Sequence, residues 1–170
     1  VADTLIPSVA LGHFFGRLGC LAAGCCWGVP VSEDFLFAVQ FPDGALAHTS
    51  MANAGIIEPT KAHTPHVHPV QLYESFGELA IFFTLLFVRS IKRFHGQTLL
   101  AYLFLYPILR TSLEFLRGDK ARGEYALFGG VTVSTSQIIS VLVAVAAVTL
   151  LASLVQKKRR RASASAMAAA

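Results

Sequence analysis

Charge is what this chain has least of: 14% of its 170 residues are Asp, Glu, Lys or Arg, where a soluble domain carries about a quarter. Set against 54% hydrophobic residues and a mean hydropathy of +0.58, that shortage excludes an ordinary soluble domain and points to a membrane protein. No separate soluble domain fits between the apolar runs. A nucleic-acid face is missing too. The net charge is +4, but the cations gather in residues 89–93 and 157–161, each just past an apolar run. Cysteine is scarce. Cys20, Cys25 and Cys26 offer neither C-x-x-C nor a tetrahedral pairing pattern, so the usual zinc templates are excluded and no metal or other cofactor is expected. The chain opens Val-Ala-Asp, with no start Met and no cationic region leading to a cleavage site. Its first apolar run therefore does not read as a signal peptide; the sequence reads as a fragment or as a chain begun at an alternative start codon.

What is there is apolar sequence in spanning lengths. Crossing a hydrocarbon core about 30 Å thick takes about 20 helical residues, and residues 4–22, 71–90, 97–116 and 134–155 each qualify. The predicted fold is all-α, a polytopic membrane domain over 1–156 with about four transmembrane helices. The basic clusters after the second and fourth runs read as cytoplasmic anchors, which puts both chain ends inside and the long 23–70 connection outside. Residues 157–170 form a basic cytoplasmic tail whose Ala/Ser-rich end predicts disorder. Within the outer loop, FLFAVQF (35–41) has the composition of a strand and predicts a hairpin arm over the membrane surface.

The third run, AYLFLYPILRTSLEFLR (101–117), organises the rest. Its helical spacing sets Tyr106, Arg110, Glu114 and Arg117 in one column, with Pro107 predicting a kink beside it. An ionised side chain at the centre of a span costs roughly 2.5–3.5 kcal/mol on insertion scales, so these groups need partners, a wet cavity or a task. An Arg110–Glu114 pair that only staples helices together satisfies the same requirement. In the first run Arg17 is a lone cation that calls for an anion, while His13, four residues earlier, reads equally well as an interhelical hydrogen-bonding group. The second run begins HVHPVQLYESFGEL, with Gln71, Glu74 and Glu78 on one face; near a helix start the macrodipole partly excuses Glu74.

Topology gathers these groups. Runs one and three end outside and run two begins there, so Arg17, His68, Gln71, Tyr73, Glu74, Arg110, Glu114 and Arg117 all fall in one outer layer. Arginine binds phosphate through two parallel hydrogen bonds, and Arg17, Arg110 and Arg117 together read as a phospholipid headgroup clamp. Glu114 would orient an arginine, and His68 or a tyrosine would move a proton. Beside it, GCCWG (24–28) reads as close-packed thiols with Trp27 as an interfacial anchor. A Cys20–Cys25 disulfide or an outer-face soft-metal site using Cys25, Cys26, His63, His66 and His68 are the other readings.

Three motifs, GRLGCLAAGCCWG (16–28), HPVQLYE (68–74) and YPILRTSLEFLRGD (106–119), in this order and at these separations, resemble the C-terminal part of bacterial phosphatidylglycerol:prolipoprotein diacylglyceryl transferases. The resemblance covers roughly residues 1–120. It implies a multi-pass inner-membrane enzyme that moves diacylglyceryl from phosphatidylglycerol to the lipobox cysteine of a prolipoprotein signal peptide, releasing glycerol 1-phosphate. By motif position it implies catalytic roles for Tyr106, Arg110, Glu114 and His68 and substrate binding by Arg17, Arg117, Gln71 and Tyr73. Where the family carries Asn, Asn and Glu, this chain has Cys20, Ala23 and Cys25, and the family's earlier spans with their His-Gly-Gly motif lie outside this sequence. A non-catalytic phospholipid-binding or membrane assembly module is the alternative reading.

Overall fold

The computed structural model describes residues 2–119, 124–126 and 132–168. All four apolar runs become helices. They are α1 (Ala2–Ala22), α3 (Val70–Ile91), α4 (Gln97–Glu114) and α5 (Thr135–Ala168), joined in the outer loop by a short α2 (Leu46–Asn53). Helix α3 packs against α1 and α4, and α4 packs in turn on α5. Two three-residue strands, β1 (Glu124–Ala126) and β2 (Thr132–Ser134), form an antiparallel pair before α5, so the fold is predominantly rather than purely helical. The rest of the predicted polar loop between α4 and α5 lies outside the described residues.

Local chemistry explains the helix ends. Pro69 precedes α3, where a missing N–H costs nothing. Gly96 turns the chain into α4 with φ at +91°, a left-handed geometry that suits glycine. The first turn of α4 has no cap of its own and takes one from α1. Asp3 accepts hydrogen bonds from the backbone N–H groups of Gly96 (2.8 Å), Thr98 (3.1 Å) and Leu99 (3.2 Å), with the Lys92 ammonium 3.6 Å away. These donors would otherwise be unsatisfied at a helix start, so one carboxylate ties α1 to the α3–α4 turn.

Polarity is inverted relative to a soluble bundle. Phe15, Phe76, Phe83, Phe87 and Leu142 face outward, whereas Gln71, Glu74, Ser75, Glu78, Thr98 and Arg110 are buried. Water would penalise both choices; lipid favours both, since apolar side chains can meet acyl chains and ionisable ones must turn to the bundle interior. The apolar core is correspondingly small, with Ala10, Ile81, Leu85 and Tyr102 at its centre. Gly77 lets α3 and α4 approach: a Cβ there would lie 2.5 Å from Leu109 Cδ1. A second cluster, Phe41, Ala47, Met51 and Val67 with Leu21 and Trp27 against it, holds the outer loop on the end of α1.

Among the described residues α1 is the one helix long and apolar enough, by length and composition, to cross a membrane; the apolar part of α5, Ile138–Ser153, is shorter. Residues 35–41 form turns and isolated bridges, Val39 to Val67 among them, rather than a hairpin arm, because their partner is the extended 63–67 segment instead of each other. The backbone is helical through Ala168 where composition predicts disorder; Ala, Lys and Arg are strong helix formers, and extending an existing helix avoids the cost of nucleation. Helix α4 is one element from Gln97 to Glu114 with Pro107 inside it.

Candidate functional site

The three motifs meet as backbone. Residues 27–29 lie between the 68 and 116–118 segments. Gly28 N–H donates to His68 O (3.2 Å) and His68 N–H to Val29 O (3.1 Å), while Val29 N–H donates to Leu116 O (2.8 Å) and Gly118 N–H to Trp27 O (3.0 Å). Two glycines make this possible. A Cβ on Gly28 would sit 2.5 Å from His68 O, and one on Gly118 would sit 2.5 Å from Gly28 O. The backbone on either side of His68 and Arg117 is thus tied to the loop that follows the cysteines.

Each arginine already has a carboxylate. Arg17 Nη2 lies 2.7 Å from Glu74 Oε1, Arg110 Nη1 lies 2.5 Å from Glu114 Oε2, and Arg117 grips Asp119 with Nε at 2.8 Å and Nη2 at 2.6 Å. Arg110 and Glu74 are buried at 4% and 1% exposure, depths at which an unpaired charge would be prohibitive. A guanidinium carries five donors and one carboxylate engages at most two of them in a parallel fork.

The predicted column divides. Tyr106, Arg110 and Glu114 lie on α4, but Arg117 lies past its end, where the chain leaves the helix to bridge Gly28. Its second contact is the Cys26 thiol. Tyr106 stacks on Tyr102 with centroids 5.6 Å apart and lies within the fields of Glu74, Arg110 and Arg17. His13 Nδ1 lies 3.0 Å from the Tyr102 hydroxyl and 3.3 Å from Glu78, an interhelical junction of the bland kind the sequence allows. His68 and Tyr73 share a hydrogen bond at 3.3 Å, with Phe35 edge-on to the imidazole. Gln71 Nε2 donates to the Cys25 carbonyl at 2.7 Å, so it braces the cysteine loop. Sequence reasoning undervalued Glu74 and passed over Asp119. The signal for Glu74 was the unmet cation at Arg17, and for Asp119 it was the short RGD stretch that closes the motif.

Three thiols complete the site's edge. Burial, with the hydrogen bond that the Cys25 thiol donates to Cys20 and the charge of Cys26, pushes the Cys25 thiol up to about 12. Burial pushes Cys26 up as well, but the hydrogen bond and charge of Arg117 outweigh it and hold Cys26 below the ordinary thiol value. Arg117 stays fully charged: burial disfavours its cation, but Asp119 and Cys26 more than compensate.

Comparison with known proteins decides the family. The family model described as prolipoprotein diacylglyceryl transferase matches residues 1–153. This chain belongs to the prolipoprotein diacylglyceryl transferase family. It is 36% identical over 139 residues to the phosphatidylglycerol–prolipoprotein diacylglyceryl transferase of Clostridium tetani, covering 81% of this chain and 47% of that protein. It is 33% identical over 150 residues to transferase 2 of Clostridium perfringens, covering 88% and 50%, and 30% identical over 146 residues to the Lysinibacillus sphaericus enzyme, covering 82% and 50%. The chain thus spans about half the length of the curated relatives it matches. No solved structure matches. Prolipoprotein diacylglyceryl transferases are membrane enzymes, in keeping with the apolar exterior and with α1.

Proposed function

We propose that this chain carries the phospholipid-headgroup half of a diacylglyceryl transferase active site, acting in lipoprotein maturation at the outer face of the bacterial inner membrane. The observation that supports it most is the set of carboxylate-held arginines, Arg17, Arg110 and Arg117, in the polar interior of a bundle with an apolar exterior. In this reading α1, α3, α4 and α5 are the four spans and the 23–70 loop faces the periplasm.

The substrates would be phosphatidylglycerol and a prolipoprotein with a lipobox cysteine. The cysteine sulfur attacks the diacylglyceryl carbon, a C–S bond forms, the C–O bond to the phosphate breaks, and glycerol 1-phosphate departs with the electron pair. The thiol proton passes to a base, for which His68, oriented by Tyr73, is the candidate. Arg110 and Arg117 meet the charge that builds on the departing phosphate, Glu114 orients Arg110, and Tyr106 donates a hydrogen bond beside them. Arg17 and Gln71 hold the headgroup and the loop above it. No cofactor enters.

The test is Arg110→Lys, which keeps the charge but loses the fork. The chain is assayed together with the N-terminal half of the Clostridium tetani relative. Phosphatidylglycerol binding should persist while lipidation of a lipobox peptide, read by mass shift, falls about 10²- to 10³-fold, the usual effect of removing a preorganised donor. Lipid binding by the wild type without any transfer would favour a non-catalytic phospholipid-binding module. Cys20, Ala23 and Cys25, standing where the family has polar groups, give that second reading its support.

A further inference from the structure

We propose that Cys20, Cys25 and Cys26 form a three-sulfur site for a soft monovalent ion, Cu(I), at the rim of the headgroup site. The spacing of these cysteines fits no usual template, and the turn that ends α1 supplies the reason they meet. Gly24 takes φ +64°, its N–H donates to Leu21 O (3.1 Å), and the N–H of Cys25 reaches back to Cys20 O (3.0 Å). That is the 6→1 and 5→2 bond pair of a Schellman motif, in which the side chains before and after the turn are brought together. Here those side chains are Cys20 and Cys25. Cys26, itself at φ +59°, turns the chain so that the third thiol joins them, and the three sulfurs all lie within 4.8 Å of one another.

Geometry and charge select the ion. Metal–sulfur bonds of about 2.3 Å in a trigonal plane set the sulfurs about 4 Å apart, a spacing that falls inside the 4.8 Å within which the three sulfurs lie. Among the described residues no histidine, carboxylate or further cysteine joins the group, so a structural zinc site, which takes four ligands, is incomplete here. Soft thiolates favour Cu(I). Three thiolates around Cu(I) leave an excess negative charge. Arg117 donates a hydrogen bond to Cys26, and Arg17 lies within the fields of Cys26 and Cys20, so two cations flank the cluster, each with its own carboxylate, Asp119 and Glu74. Gln71 fixes the Cys25 carbonyl and so holds the turn in place.

The 170-residue chain, reduced and kept anaerobic in detergent micelles, is titrated with Cu(I) against a chromogenic Cu(I) chelator, with Zn(II) in parallel. A single Cu(I) per chain is expected to resist the chelator, with an ultraviolet thiolate-to-copper band and three sulfur neighbours by X-ray absorption. Each of Cys20→Ser, Cys25→Ser and Cys26→Ser should lose that retention. On the wild-type chain alone, Cu(I) should protect all three thiols from maleimide, read by mass spectrometry, which keeps the test independent of variant folding. Failure to compete with the chelator, retention unchanged in the triple serine variant, two sulfur neighbours instead of three, or stoichiometric Zn(II) uptake in preference to Cu(I) would each overturn the site. None of these readouts depends on diacylglyceryl transfer.

Discussion

At the scale of single residues, pairing decides what can be changed. Glu74 is buried against Arg17, and breaking a buried pair by neutralising one partner typically costs about 3–5 kcal/mol, because the other charge stays behind without compensation. Glu74→Gln should therefore lower the thermal unfolding temperature in detergent, and Arg17→Gln added to it should recover part of the loss. A double variant no more stable than Glu74→Gln alone would mean that the two groups do not depend on each other. The thiols separate by reactivity. The thiolate is the nucleophile, and Cys26 is held below the usual thiol value by Arg117 while Cys25 is pushed up to about 12. As pH rises Cys26 should ionise first, so site-resolved alkylation by iodoacetamide should label Cys26 at a lower pH than a free cysteine and Cys25 last of all. Equal labelling of the two across the range would contradict the contact with Arg117.

At the scale of elements, the site is held by segments that are not regular structure. Helices α1, α3 and α4 place Arg17, Glu74, Arg110 and Glu114, but Arg117 lies in the 116–118 segment, which main-chain bonds hold against residues 27–29 and which needs Gly28 and Gly118. A methyl group at residue 28 would meet the His68 backbone oxygen as well as His68 Cβ and Val70 Cγ2, and overpacking of that kind usually costs about 1–3 kcal/mol. Gly28→Ala should lower thermal stability by that order and protease resistance in the 23–70 loop with it, while Gly12→Ala, where nothing stands within 4 Å, serves as the matched control. Similar losses in both would show that the close approach at residue 28 carries no special weight. The same elements show why the hairpin arm was misread. FLFAVQF has strand composition, yet Phe41 and Val39 find the 64–67 segment, with Phe41 N–H donating to Thr64 Oγ1 at 3.0 Å.

At the scale of the whole molecule, the proposed orientation rests on where the basic residues fall. The basic residues Lys92 and Arg93 after α3 and the basic run at 157–161 would favour the cytoplasmic side, and single-cysteine variants in intact cells should then label at positions 40–60 from outside and at Ser165 only after permeabilisation. The reverse pattern would overturn the placement of the site at the periplasmic face. Composition by itself determined the membrane class and the four helical runs, because lipid demands long apolar helices. Spacing determined that Tyr106, Arg110 and Glu114 share a helix face. The motifs determined the family. Only the tertiary structure decided which acid answers which base, that Arg117 leaves the column for Asp119 and Cys26, and that Cys20 meets Cys25 across the turn. Helical and strand periodicity fix directions within one element, whereas these contacts depend on where one element ends and which other one it faces there.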